Sequence, residues 1–367
     1  MLAMKDVDFF IEQIINSKKC IIFAVDMKKT VSILVLILCV VLAGVGIEQY
    51  YRMFVSNLTS KDGEAHLLYV YPGSSLDSVL WAVSETHEVA SAWNMRLHCR
   101  LMKFTRPKTG CYMLNEKEGD VSFIRRLRGG EQTPVEVSFN RIRTREQLAK
   151  RLSEQLLLDS IEVIERLEDN DYMSKYGLKK ETAVCLFIPN TYEMYWTISA
   201  DALFARMDKE YKHFWSPERD QKAKKIGLSR VGVATVASIA EEETNKDFEY
   251  PIIAGLYINR LKQGMPLQAC PTIKFAWQDF SLRRILNKHL EIESPYNTYK
   301  NKGLPPGPIR IPRASTMDAV LNYTPSSYLF MCASADFNGT HHFSSNYSEH
   351  ARYAREYQAE LNKRNIK

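Results

Sequence analysis

From Thr30 to Ile47 the chain runs 18 residues without a charged side chain, almost all of them apolar, and this is its only long apolar run. Coiled into a helix rising ~1.5 Å per residue, the run covers about 27 Å, enough to cross the hydrocarbon core of a bilayer. Lys28 and Lys29 precede it, Glu48 and Arg52 follow it, and Tyr50 and Tyr51 stand where an interfacial aromatic belt belongs. The positive flank directs the N-terminus to the cytoplasm and everything after residue 50 outside. A cleaved signal peptide fits less well, because Ala43-Gly44-Val45 comes too early and no small-x-small site precedes Glu48. A buried core helix fits least. Residues 1–29 are thus expected to be cytoplasmic and residues 30–47 an uncleaved transmembrane anchor. Because Met27-Lys28-Lys29 is itself a complete start and charged region, Met27 is the expected physiological start, with residues 1–26 an upstream extension or short cytoplasmic tail.

At 367 residues the chain exceeds the size at which one core keeps growing, so two or more folded units are expected. Its 45% hydrophobic and 25% charged content excludes both a disordered tail and a polytopic membrane protein. The net charge of +6 is spread along the chain without basic blocks, which argues against nucleic acid as a partner. Seven cysteines without a C-x-x-C pair exclude a disulfide miniprotein and a zinc ribbon. The five beyond the anchor, Cys99, Cys111, Cys185, Cys270 and Cys332, are expected to be buried thiols.

Beyond the anchor, residues 48–64 hold Asn57, Ser60, Asp62 and Gly63 and are expected to form a short polar tether. Leu67–Tyr71 has strand composition, Pro72-Gly73-Ser74-Ser75 is a turn ending in a cap, and Leu76–Val83 is amphipathic. Gly110–Leu114, Val121–Leu127 and Val135–Phe139 followed by a Thr144-capped helix repeat this grammar. Residues 65–152 therefore predict a small α+β module without evident chemistry. Residues 153–367 predict a mainly helical α+β domain, interrupted by an apolar strand at Leu186–Ile188 that enters a Pro-Asn turn beside Tyr192, Tyr195 and Trp196. Those rings suit packing first, and stacking on sugars second.

The most informative helix is Val231–Thr244. Its first ten residues are small enough to lie deep in a core, and it ends on Glu241, Glu242 and Glu243. At about 100° per residue, Glu241 continues the side of Ala234, Ala237 and Ser238, and the three carboxylates cannot share one face. A carboxylate against an apolar wall, at the negative end of a helix dipole and beside like charges, is biased toward its protonated form and can serve as a general acid. The competing reading is a solvated acidic helix end.

Further along come Ile258-Asn259-Arg260-Leu261, Leu267-Gln268, Pro271-Thr272, Tyr296-Asn297-Thr298-Tyr299, Gly303–Ile309 and Gly339–Phe343. In this order, following Ala237–Thr244, the series resembles the MltG (YceG-like) family of endolytic murein transglycosylases. The resemblance implies an N-terminal anchor in the bacterial cytoplasmic membrane, a LysM-like module before an extracytoplasmic catalytic domain, and peptidoglycan glycan strands as substrate. It assigns the catalytic role to Glu241. Supporting or glycan-binding roles fall on Glu243, Gln268, Tyr296, Asn297, Thr298, Tyr299 and His341. Cys270 stands where the family commonly has Asp, and Ala240 and Glu242 also depart from its usual residues.

By the family mechanism the protonated carboxyl gives its proton to the glycosidic oxygen between N-acetylmuramic acid and N-acetylglucosamine. It then takes the proton of the muramyl C6 hydroxyl as that oxygen closes on C1, leaving a 1,6-anhydromuramyl end. One carboxyl suffices where an ordinary glycosidase needs two. The resemblance also implies work beside nascent-strand peptidoglycan synthases, ending new chains. A muramidase-type hydrolase and a noncatalytic peptidoglycan-binding anchor are the alternatives. A pyridoxal phosphate enzyme lacks its Schiff-base Lys and phosphate cup, and His341, His342 and His350 lack the paired ligands a metal needs, so no cofactor is expected.

Overall fold

The computed structural model describes residues 3–282 and 284–364. The chain divides into two compact units, Met1–Thr133 and Pro134–Lys367. The boundary thus lies before the expected 152/153. The strand β6 (Val135–Ser138) and the Thr144-capped helix belong to the second unit, because β6 pairs antiparallel with Thr191–Met194.

The first unit begins with α1 (Ala3–Phe54). Within it Val25–Phe54 is long and apolar enough to cross a membrane, and its large apolar side chains, Leu36 and Ile47 among them, are exposed. The expected tether is not a flexible link. Helix α1 runs through to Phe54, and β1 (Leu58–Ser60) is the middle strand of a three-stranded sheet between β3 (His87–Val89) and β5 (Lys117–Glu118). The polar residue that suggested a solvated linker, Asn57, is fully buried. Its amide donates to Asp120 Oδ1 at 2.8 Å and to the Ser91 carbonyl at 3.0 Å, and its oxygen accepts the Ser91 N–H. Asp120 Oδ2 in turn lies 2.6 Å from His98 Nδ1.

Strand β2 (His66–Val70) pairs antiparallel with β4 (Gly110–Leu114), and α2 (Leu76–Thr86) and α3 (Ala92–Leu101) lie between them in the chain. Both helices begin as the sequence requires: Ser75 and Ser91 turn their hydroxyls back onto the N–H groups of Ser78 and Asn94. With α4 (Asp120–Gly129) they bury Leu68, Val83, Met95, Tyr112 and Ile124 in one core.

The second unit continues from β6 with α5 (Arg145–Ser153), α6 (Ser160–Glu168), α7 (Asn170–Ser174) and β7 (Thr191–Met194). A 3-10 turn at Ala183–Leu186 replaces the expected apolar strand, and the strand begins only after the Pro-Asn pair. Tyr192 and Trp196 are buried, the Tyr192 ring stacking on Phe139, so these two rings pack the core. Then follow α8 (Ala200–Phe214), α9 (Pro217–Ile226), α10 (Arg230–Glu243), α11 (Tyr250–Lys262), α12 (Cys270–Trp277), α13 (Asn287–Leu290) and α14 (Ala314–Leu321). A hairpin of β8 (Phe330–Ala333) and β9 (His341–Ser344) leads into α15 (Tyr347–Lys363). Helix α10 packs against α9, α11, α12 and α14. Its Gly, Ala and Ser positions let the neighbours close around it, and every residue from Gly232 to Glu241 is buried.

Candidate active site

The motifs that are separate in sequence are stitched to one another through backbone groups. Ser238 in α10 accepts the Ile309 N–H at 3.0 Å, and Glu241 Oε1 accepts the Arg313 N–H at 2.6 Å, so the chain after Gly303-Leu304-Pro305-Pro306 lies along the end of α10. Gly307 passes so close to the Glu181 carbonyl that a Cβ would stand 2.1 Å from its oxygen, which excludes any side chain there. Thr298 accepts the Ala269 N–H on its hydroxyl, and its carbonyl accepts the Gln268 N–H. Arg260 is buried and donates to the carbonyls of Pro266, Leu267 and Leu329, closing the loop between α11 and α12.

Two cavities meet at the end of α10. The larger, about 1450 Å³, is bordered by Glu241, Glu242 and Glu243 with Arg143, Arg310 and Arg313. The smaller, about 410 Å³, is bordered by Tyr257, Arg260, Gln268, Tyr299 and Phe330. Glu243, Ala333 and His341 border both. All three carboxylates thus face one cavity despite their spacing on the helix, because the cavity reaches more than one side of the last turn.

Their surroundings differ sharply. Glu241 does not lie against the expected apolar wall. Besides the Arg313 amide, its Oε2 lies 3.2 Å from Arg310 Nε as an ion pair without hydrogen-bond alignment, and its Oε1 is 3.5 Å from Arg313 Nε. Glu242, expected to point elsewhere, takes a two-pronged hydrogen bond from Arg143 at 3.0 and 2.9 Å and a third from Arg310 at 2.9 Å. Glu243 has no guanidinium partner among the described contacts. Its Oε1 accepts the buried Tyr257 hydroxyl at 2.8 Å. Burial pushes its carboxyl above the ordinary range, opposed by that hydroxyl and by His341 and Lys274. Desolvation by burial thus acts on the carboxyl two residues beyond Glu241.

Of the other expected site residues, Gln268, Tyr299 and His341 border a cavity. Gln268 holds a left-handed backbone, φ 51°, and its side-chain oxygen accepts from Arg260. The Tyr299 hydroxyl lies 3.2 Å from Cys270 Sγ, and Cys270 is exposed, whereas Cys99, Cys111 and Cys185 are buried and Cys332 is partly so. The other three residues of the Tyr296–Tyr299 run border neither of these two cavities. Tyr296 packs 4.7 Å from the Phe275 ring, and burial pushes its hydroxyl up to about 12. Asn297 is fully buried, donating to the Leu290 and Ile292 carbonyls while accepting the Tyr299 N–H. Thr298 is buried against Thr272.

The sequence reading did not anticipate Glu249, Tyr257, Arg143, Arg310 or Arg313. A signal for the last two is the Ile309-Arg310-Ile311-Pro312-Arg313 segment directly after the Gly-Leu-Pro-Pro motif, where cations follow an apolar turn. Glu249 carries no motif of its own.

A family model described as the YceG-like family matches residues 68–356. The endolytic murein transglycosylase of Bacillus subtilis (strain 168) is 26% identical over 311 residues, covering 80% of this chain and 84% of that protein. The endolytic murein transglycosylase of Streptococcus pneumoniae serotype 2 is 31% identical over 196 residues, 52% of this chain but only 32% of that protein. The crystal structure of a YceG-like protein from Listeria monocytogenes matches with a TM-score of 0.54 and 27% identity, over 79% of this chain and 98% of that one. With the family model reaching across most of the sequence and through every motif above, the chain belongs to the YceG-like family.

Proposed function

We propose that this chain is a lytic transglycosylase of peptidoglycan that cuts the N-acetylmuramic acid to N-acetylglucosamine bond and leaves 1,6-anhydromuramyl ends. The observation that carries the reading is the inequality of the three carboxylates. Glu241 and Glu242 are engaged by arginines, whereas Glu243 bonds the Tyr257 hydroxyl and has a carboxyl that burial raises, as a general acid requires. A hydrolase needs a second free carboxylate for its water or its covalent step. A single acid supports the intramolecular route, in which the substrate's own C6 hydroxyl is the nucleophile. Glu243 is accordingly the proton donor in this proposal. Glu241 fixes the Arg310 and Arg313 side of the cavity, and Gln268 and Tyr299 border the smaller cavity as glycan contacts. The names of the relatives agree with this reading.

The exposed apolar length of α1 supports a single-pass anchor, with the N-terminus in the cytoplasm and the catalytic unit outside. The order β2, α2, β3, α3, β4, in which β2 pairs with β4 and two helices lie between them, supports a LysM-like, glycan-binding reading of the first unit. Peptidoglycan synthases that extrude new strands are the expected neighbours. The test is mass spectrometry of peptidoglycan strands treated with the full-length protein in detergent micelles. Anhydromuramyl ends are expected, and products carrying only reducing-end muramic acid would make the chain a hydrolase instead.

A further inference from the structure

Glu249 lies in a 3-10 turn between α10 and α11 and is 1% exposed, yet it borders neither cavity. It receives three donors. Oε1 accepts the His341 N–H at 2.7 Å, while Oε2 accepts the Thr244 hydroxyl at 2.7 Å and lies 3.0 Å from His341 Nδ1. The Thr244 oxygen is itself an acceptor for the Lys246 N–H, so its proton is the one directed at Glu249. A carboxylate filled in this way can only accept, which fixes a proton on His341 Nδ1 and leaves Nε2 as the ring's lone pair. His341 borders both cavities beside Glu243, and Nε2 has no protein partner among the described contacts.

We infer that His341, oriented by the buried Glu249, is a second proton-transfer group that takes the C6 hydroxyl proton while Glu243 protonates the leaving oxygen. The inference rests on the transglycosylase reading given above. In the step, the Glu243 carboxyl proton moves to the glycosidic oxygen and the bond from C1 to that oxygen breaks. The C6 oxygen bonds to C1, and its proton passes to His341 Nε2. The imidazolium then returns that proton to the Glu243 carboxylate, directly or through water, and both groups are reset without a further reactant. Dividing the two transfers between two groups removes the need for one carboxyl to serve both ends of the breaking and forming bonds. Glu249 is a positioning residue, acting only through the ring.

The experiment measures anhydromuramyl ends formed over time by full-length protein in detergent micelles on purified peptidoglycan strands, with wild type and Glu243→Gln as references. His341→Ala is expected to lower kcat by about 10²-fold with little change in KM, and free imidazole to recover about tenfold of that loss. Glu249→Gln presents an amide N–H where Nδ1 needs an acceptor, so it is expected to favour the wrong tautomer and lower kcat by about 10²-fold at a nearly unchanged melting temperature. A His341→Ala protein that keeps more than about a third of wild-type kcat, or a loss that imidazole leaves untouched, overturns the inference, since a merely structural clamp gives no rescue. If His341→Ala does not fold, Glu249→Gln decides alone, and a kcat loss explained by unfolding counts against the dyad. Wild type that forms no anhydromuramyl ends, or an active Glu243→Gln, brings down the underlying reading instead.

Discussion

His98 in the first unit and His341 in the second each set Nδ1 against a buried carboxylate, Asp120 at 2.6 Å and Glu249 at 3.0 Å. The pairs are chemically alike and differ in what the rest of the ring meets. His98 is 3% exposed, and its carboxylate is completed by Asn57, an amide fastened to the chain just beyond α1. His341 keeps 14% of its side chain exposed and borders two cavities next to a carboxyl raised by burial. The first pair joins the end of the apolar helix to the fold behind it, and the second holds a reactive nitrogen toward open space. A buried carboxylate and histidine are a lock or a tool depending on whether the second nitrogen is enclosed.

The largest effect belongs to the tool side. Glu243→Gln keeps shape and removes the transferable proton, so turnover is expected to fall by at least ~10²-fold with the melting temperature retained. Glu241→Gln is expected to cost about tenfold in kcat/KM, because it loosens the Arg310 and Arg313 segment without touching the acid. A reversed ranking, measured on purified variants by counting anhydromuramyl ends, would return the acid role to Glu241.

The lock side predicts the opposite division between stability and activity. Asp120→Ala leaves the Asn57 amide and the His98 ring without their buried acceptor, which is expected to cost about 3 kcal/mol of stability. Turnover per folded molecule should stay unchanged. Urea unfolding followed alongside activity checks both halves, and a large loss of turnover in folded Asp120→Ala protein would give the first unit a role in the chemistry.

What the sequence disclosed follows the same division. Local chemistry was legible: the caps at Ser75 and Thr144, the span of α10, and the strands at 66–70 and 110–114 rest on residues within a few positions of each other. The surroundings of each carboxylate at the end of α10 were not, because they depend on residues far away in sequence. Arg310 and Arg313 reach Glu241 from about seventy positions on, which no period of 3.6 can register. Asn57 was read as linker for the same reason, its partners lying at Ser91 and Asp120. The run Tyr296–Tyr299 was recognised as one motif, yet within it Tyr299 borders the smaller cavity while Asn297 and Thr298 hold the loop in place.

The smallest effect tests the cause of the Glu243 shift. The Tyr257 hydroxyl, 2.8 Å from Oε1, donates to the carboxylate and so favours the ionised form against the burial that opposes it. Glu243 acts as an acid only while protonated, so activity is expected to fall as pH rises through its raised pKa. Tyr257→Phe removes the donor and leaves the ring, which raises that pKa further and carries the falling limb of kcat to higher pH. A hydrogen bond to a charged group is worth about 1.5–3 kcal/mol when made, and part of that is lost to solvent relaxation, so the limb is expected to move by about one pH unit. Rates of anhydromuramyl release across neutral and alkaline pH measure the shift directly. A limb that moves to lower pH would mean that Tyr257 steadies the protonated carboxyl instead, and a limb that stays in place while Glu243→Gln is inactive would assign the titration to another group in the cavity.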